Sequence, residues 1–295
     1  MPRYLDPRND LTFKKIFGEH KDMCISLLNA MLPLGEGRSV TSIEYQTGEM
    51  LPRIDGIRNS IVDVRCTDNK GRQFIVEMQM HWTSSFQQRV MLNASKAYIA
   101  QFDKGLNNPD PYKLLNPVYA LCFVNDIFVP KSEEYYHHYA MVSIANTELR
   151  IEGLELVFIE LPKFNPKNRA IRKLRDLWLL FPTGIERGAE QVPPELLEEP
   201  ETKAAVRCLE EHSFTRDELD RYDRVIDSIA TEKTLLAGSR EDGRAEGRAE
   251  GRTEGAREIA LAMLDQGLPV EMVAKCSGLA VEEVRELDKK RGSSK

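Results

Sequence analysis

Five cysteines in 295 residues, odd in number and scattered as Cys24, Cys66, Cys122, Cys208 and Cys276, leave no framework for disulfides. None stands in a CxxC pair, so a structural zinc site is not expected and the thiols read as reduced packing residues. Long apolar runs are missing as well. No stretch approaches the roughly 18 residues that suggest a membrane span, and the opening MPRYLDPRND has no apolar h-region, so a cytoplasmic protein without membrane contact is expected. The five histidines offer little. His137 and His138 sit in a YYHHY segment expected to be a strand, where neighbours face opposite ways and cannot share a metal, and His20, His81 and His212 are isolated. No Ser/His/Asp set, phosphate-cradling glycine loop or Rossmann fingerprint is present, so no small-molecule cofactor is expected. An excess of positive charge is also lacking. The net charge is −6; residues 1–130 carry 15 Lys+Arg against 14 Asp+Glu, and the remaining 165 carry 26 against 33. Any basic cleft must therefore be local. What remains, 41% hydrophobic and 30% charged residues, suits a soluble globular protein with one sizeable core and an appendage, or two modest domains.

The chemistry concentrates in residues 60–80, SIVDVRCTDNKGRQFIVEMQM. Two runs rich in β-branched and apolar residues flank the turn signal Asp68-Asn69-Lys70-Gly71 and predict a β-hairpin. A three-residue loop, Asn69 to Gly71, with Gly71 in the left-handed region, pairs Asp68 with Arg72, Arg65 with Ile75, Asp63 with Glu77, and Ile61 with Gln79. Opposed residues share a face. One face is then Val62, Val64, Cys66, Phe74, Val76, Met78 and Met80, an apolar surface for a core; the other sets Asp63 against Glu77, with Gln79 two residues further along. A two-residue loop would shift the register by one and separate the two carboxylates.

Directly opposed carboxylates repel and weaken a sheet by a few tenths of a kcal/mol or more. A hard divalent cation bridging them would compensate. The alternative is a solvated hairpin face with Arg65 and Arg72 nearby to soften the repulsion.

Asp63, followed on the next strand by Glu77-x-Gln79, resembles the core of the PD-(D/E)XK nuclease superfamily, with Gln79 standing where the pattern has lysine and Val62 where it often has proline. Asn9-Asp10 followed by Phe13-Lys14-Lys15-Ile16-Phe17, the run Ile75-Val76-Glu77-Met78-Gln79, Arg89, and Pro117-Val118-Tyr119 are similar to the Rpn family of recombination-promoting nucleases, often labelled transposases. The likeness covers nearly the whole chain. It implies an α/β, restriction-endonuclease-like core, a mixed sheet flanked by helices, with a helical C-terminal extension. It implies a Mg²⁺-dependent (or Mn²⁺-dependent) DNA endonuclease in which Asp63, Glu77 and the Met78 carbonyl hold the metal. Gln79 would orient water, and Arg89 would supply the missing positive charge. A nuclease fold that binds DNA without turnover remains the alternative, favoured by the missing lysine and the acidic balance.

Around this hairpin the sequence predicts helices over about 10–17, 22–31, 85–102, 168–180 (ending before Pro182), 202–212 and 216–237. Strands are predicted over about 40–45, 118–124, 135–139 and 157–161. Arg89, Asn93 and Lys96 share one side of the third helix and either meet phosphate or simply face solvent. From Gly243 a short repeat runs GRAE, GRAE, GRTE, GARE, with glycines, arginines and glutamates each recurring every four residues. It is either a flexible linker or a helix whose Arg and Glu rows, on opposite sides, pair with those of a second copy in a homo-oligomer. Beyond it, VEMVAKC, SGL and VEEVREL resemble a helix-turn-helix; Glu282, Glu283 and Glu286 make its second helix a poor reader of DNA and favour a structural or protein-contact role. The expected organisation is a nuclease-like domain over 1–185, an acidic helical segment over 186–237, the repeat over 238–257 and the helix-turn-helix-like tail over 258–295.

Overall fold

A computed structural model describes residues 3–46, 49–50, 60–61, 63–104, 109–166 and 173–292. The chain divides into two compact units, Met1–Ile229 and Ala230–Lys295. The first is built on a mixed sheet of six strands, with β1 (Ile43–Tyr45), β4 (Val64–Asp68), β5 (Gln73–Gln79), β6 (Val118–Val124), β7 (Tyr136–Val142) and β8 (Arg150–Glu160) in the order β1-β4-β5-β6-β8-β7. β1, β4 and β5 are antiparallel, β5, β6 and β8 run parallel, and β7 returns antiparallel along the edge. A separate two-stranded ribbon joins β2 (Glu49–Met50) to β3 (Ser60–Ile61).

Both faces of the sheet are covered. Helices α1 (Asp10–Glu19), α2 (Lys21–Met31), α4 (Leu174–Gly184) and α5 (Pro200–Cys208) contribute to a core that includes Val64, Cys66, Phe74, Val76, Tyr119, Leu121 and Phe123. Helix α3 (Phe86–Lys104) lays Phe86, Val90, Ala94 and Ala97 against Ile75, Val118, Ala120, Cys122 and Val124 of the opposite face. Strand β6 is buried at all seven positions, as its uninterrupted apolar run requires of a central parallel strand. Asn9 caps α1 by accepting from the Leu11 N–H, and Phe13 and Phe17, one turn apart, pack with ring centroids 4.8 Å apart.

The hairpin has the expected register, with Arg65 opposite Ile75 and Cys66 opposite Phe74. Gly71 sits at φ +82°, a backbone conformation that favours glycine, and a Cβ there would lie 2.7 Å from Asn116 Nδ2 and displace that side chain. Asp68 builds the turn. Its carboxylate accepts from the backbone N–H groups of Lys70 (3.0 Å) and Arg72 (2.9 Å) and from Arg72 Nε (2.8 Å). The Arg72 guanidinium also donates to the carbonyls of Arg38 and Ser39. Val62 lies outside the described residues. Ile61 does not face Gln79: it pairs with Glu49 in the small ribbon, so the hairpin partners separate beyond Asp63.

Other expectations need correction. Helix α4 does not stop before Pro182 but carries it inside its last turns. The missing proline N–H costs one bond near the helix end, and burial of Trp178, Leu179, Leu180 and Phe181 holds the segment helical. The start expected for this helix, at 168, falls among residues outside those described. Strand β8 begins at Arg150, well before Val157, because β7 pairs along its polar first half. The helix expected over 216–237 runs on as α6 (Arg216–Asp265), so the glycine repeat is helical. Four glycines cost roughly 1 kcal/mol each against alanine, but the Ala, Arg and Glu residues between them are strong helix formers. Thr215 and Glu218 form a capping box at its start, Thr215 N–H donating to Glu218 Oε2 (2.7 Å) and Glu218 N–H to Thr215 Oγ1 (3.3 Å). In the second unit α7 (Val270–Ser277), closed by Gly278 at φ +77°, and α8 (Val281–Gly292) pack with the end of α6 around Ala260, Leu264, Val273 and Val284.

Asp68 and Arg72 are both buried, so removing one strands the other. Asp68→Ala is expected to destabilise the protein by about 3–5 kcal/mol, read as a lowered urea midpoint. An unchanged midpoint would show that the turn is held by Gly71 alone.

Candidate active site

At the open end of the hairpin the ladder gives way to side chains. Val64 opposite Val76 is its last described pair, and beyond it the Asp63 carboxylate takes over, Oδ2 accepting the Met78 N–H at 2.7 Å. In an antiparallel ladder a residue's N–H and C=O point to the same neighbouring strand. The Met78 carbonyl therefore lies on the strand edge that faces Asp63. Glu77, 6% exposed, faces the α3 side of the sheet, and Asn93 Nδ2 donates to its Oε1 at 3.2 Å. Gln79 Oε1 accepts from the Arg89 guanidinium at 2.6 Å, and Gln79 Nε2 donates to the His81 carbonyl at 2.7 Å. The structure thus connects Asp63 to the Met78 backbone, Glu77 to Asn93, and Gln79 to Arg89, all at the end of β5.

Two participants stand in the amino-terminal family word but were not assigned to the site by the sequence. Lys14, on α1, places Nζ 2.9 Å from Asp10 Oδ1 and 3.3 Å from Asp63 Oδ1. Asp10, one turn before it, lies within hydrogen-bond reach of the Asp63 carboxyl. The only available signal was their i, i+4 spacing, which puts an acid and a base on one helix face but says nothing about which strand they meet. Asn93 had been grouped with residues facing solvent or phosphate; it is instead buried, and its Oδ1 finds no partner. Nor do the hairpin arginines soften the acidic pair. Arg72 serves Asp68, and Arg65 donates to Gln73 Oε1 at 3.1 Å. His137 and His138 turn apart as expected, to Glu160 (2.8 Å) and Glu155 (2.5 Å).

The electrostatics follow from this crowding. Burial first, and then the Asp10 carboxyl, push the Asp63 pKa up to about 8, against the Met78 N–H and Lys14, which favour its charged form. Burial also raises Glu77, opposed by the Asn93 hydrogen bond and the charges of Arg89 and Lys14. Lys14 moves upward, because Asp63 and Asp10 together outweigh the cost of its own burial. The cluster holds more negative charge than its surroundings neutralise.

That deficit and the all-oxygen donor set suit a hard divalent cation. Among the described residues no three or more of His, Cys, Asp and Glu form a ready-made cage. Mg²⁺ does not need one, since it commonly binds through one or two carboxylates and keeps waters for the rest of its shell. Among the described residues, no helix is long and apolar enough to cross a membrane.

Removing the crowded charge is expected to relieve the fold. In chelator-treated protein, Asp63→Asn should raise the unfolding free energy by roughly 0.5–2 kcal/mol. In the unaltered protein added Mg²⁺ should raise the melting temperature, and this response should shrink in the variant. A variant less stable than its parent would show that Asp63 is a structural acceptor and not a strained acid.

Comparison with known families adds an independent finding. Residues 7–237 match the family model described as PD-(D/E)XK nuclease family transposase. Residues 253–289 match that of the Rpn/YhgA-like nuclease family, C-terminal HTH domain. No curated protein and no solved structure matches the chain.

Proposed function

Because the chain belongs to the PD-(D/E)XK nuclease family of transposases and carries an Rpn/YhgA-like C-terminal helix-turn-helix, we propose that it is a metal-dependent endonuclease that hydrolyses DNA phosphodiester bonds. The observation that carries this reading is Asp63. It is a buried carboxylate crowded by a second one, and it is held at the end of β5 by the Met78 N–H beside Glu77. Asp63, Glu77 and the Met78 carbonyl would hold Mg²⁺ or Mn²⁺. A cation bound there lowers the pKa of a coordinated water and neutralises charge developing on the phosphate.

The chain's own groups do the positioning. The Met78 N–H fixes one Asp63 oxygen, and Asn93 fixes one Glu77 oxygen. Gln79 cannot carry the charge of the lysine it replaces. Its Oε1 aligns Arg89, and one Nε2 hydrogen remains for a water after the other reaches the His81 carbonyl. Arg89 stacks over the Phe86 ring at 4.9 Å and presents a guanidinium suited to an incoming phosphate. In the reaction a water oxygen bonds to phosphorus and the bond from phosphorus to the departing sugar oxygen breaks. The water gives up one proton, and the departing oxygen takes one from solvent.

Asp63→Ala and Glu77→Ala are each expected to abolish Mg²⁺-dependent nicking of supercoiled plasmid, with circular dichroism unchanged. Cleavage undiminished in both variants would remove these residues from the site.

Duplex cleavage also favours two active sites, and one chain supplies a single Asp63, Glu77 set. The helical repeat offers a contact, because its glycines Gly243, Gly247, Gly251 and Gly255 have open space where a Cβ would stand. Its Arg and Glu rows cannot pair within one helix but can between two. A homo-oligomer formed through residues of about 238–290 is therefore proposed. Light scattering should show the mass per particle falling when the chain is truncated after Ala237. Equal oligomerisation of both forms would move the contact to the nuclease unit, and two monomers would exclude it.

A further inference from the structure

The motif position that carries lysine in related nucleases holds Gln79, yet an ammonium group stands at the same carboxylates by another route. Lys14 Nζ reaches Asp63 Oδ1 from α1, a helix packed against the sheet and far from β5 in sequence. Its side chain is 38% exposed. Lys14 and Asp10 also line an open groove of about 490 Å³, whose wall includes Lys15, Arg221 and Arg224 together with Glu19 and Glu218. Lys15 is taken up by Glu218 at 2.8 Å, but Arg221 and Arg224 are exposed, and each Nε merely caps a carbonyl of its own helix. A polyanionic strand lying in that groove would have two guanidinium groups outside and one ammonium at the inner end.

We propose that Lys14 is the catalytic cation of this nuclease, replacing the lysine absent at Gln79, and that the groove between α1 and the start of α6 carries the scissile strand to it. The proposal rests on the endonuclease reading above. Lys14 is paired with Asp10 and Asp63 while no metal is bound to them. When a divalent cation satisfies those acids, they no longer need the ammonium, and the phosphate arriving along the groove becomes its best partner. A point charge at that place stabilises the extra negative charge of the five-coordinate phosphorus, which the neutral Gln79 amide cannot do.

The test compares the full-length chain with Lys14→Met and Lys14→Arg by plasmid nicking in Mg²⁺ and by thermal melting with and without Mg²⁺ in the absence of DNA. Lys14→Met is expected to lose roughly 100- to 1,000-fold in rate, the cost typical of removing one preorganised charge or donor. Lys14→Arg should keep a substantial part of the rate. In melting, Lys14→Met should keep a Mg²⁺-induced rise at least as large as the parent's, since the acids have lost a competing cation. Cleavage by Lys14→Met at the parental rate, with Asp63→Ala inactive, overturns the lysine assignment and leaves the nuclease reading standing. Loss of the Mg²⁺ response together with activity makes Lys14 a scaffold for the acids and also overturns it. A parent chain that cuts no DNA in Mg²⁺ or Mn²⁺ takes both readings down.

Discussion

The closure of one hairpin governs the rest. Two devices agree on its register: Gly71 in the left-handed region, and the Asp68 carboxylate gathering two N–H groups and a guanidinium. A slip of one residue would reverse every side chain of the strand. Val64 and Cys66 would leave the core, and Asp63 would lose its place beside the Met78 N–H. The apolar alternation and the seat of Asp63 are thus two consequences of the same register. Arg72 extends the constraint by donating to the Arg38 and Ser39 carbonyls, which fastens the segment entering β1 to the turn.

Much of this was legible because the signals were local. A three-residue loop with glycine in third place fixes pairing over a few residues, and a seven-residue apolar run bounded by Pro117 and Asn125 fixes β6. Asp63, Glu77, Gln79 and Arg89 were reachable for the same reason: they lie on two paired strands and the next helix. Asp10 and Lys14 were not, because their partner is about fifty residues away and is chosen by how α1 packs, through Phe13, Ile16 and Phe17, against the sheet. The polar half of β8 was missed because Arg150 to Leu156 carry Gly153 and three charges, and only pairing with β7 makes that stretch a strand. The helical repeat escaped because glycine counts against a helix one residue at a time, while helix continuity is cooperative.

The candidate site also explains a local conflict between stability and use. A core acid without full compensation weakens a fold, and this one sets Asp63 beside Asp10, buries Glu77 under α3, and leaves Asn93 Oδ1 without a donor. Elsewhere in the unit, a buried carboxylate can be fully answered. Glu160, wholly buried at the end of β8, accepts from the Phe128 and Val129 N–H groups, from His137 and from Lys163. The same sheet therefore contains one carboxylate finished as structure and a group of carboxylates left short of positive charge. Unanswered polar groups gathered at the ends of two strands, where backbone pairing also stops, mark the place where a ligand would complete the fold.

The second unit fits this division of labour. Around its helix-turn-helix several charges pair internally: Arg257 binds Glu283, Arg291 binds Asp265 and Asp288, and Arg285 lies 3.5 Å from Glu271. Glu282 and Glu283 open α8 and complement its N-terminal dipole. That placement stabilises the helix, but it puts acids at the end from which such motifs usually read base edges. A helix-turn-helix whose second helix begins with two glutamates, and whose arginines pair with its own carboxylates, repels phosphate where others attract it. Under the proposed function, contact with the DNA backbone then falls to Lys14, Arg89, Arg221 and Arg224, local positive charges in a first unit that is itself net acidic.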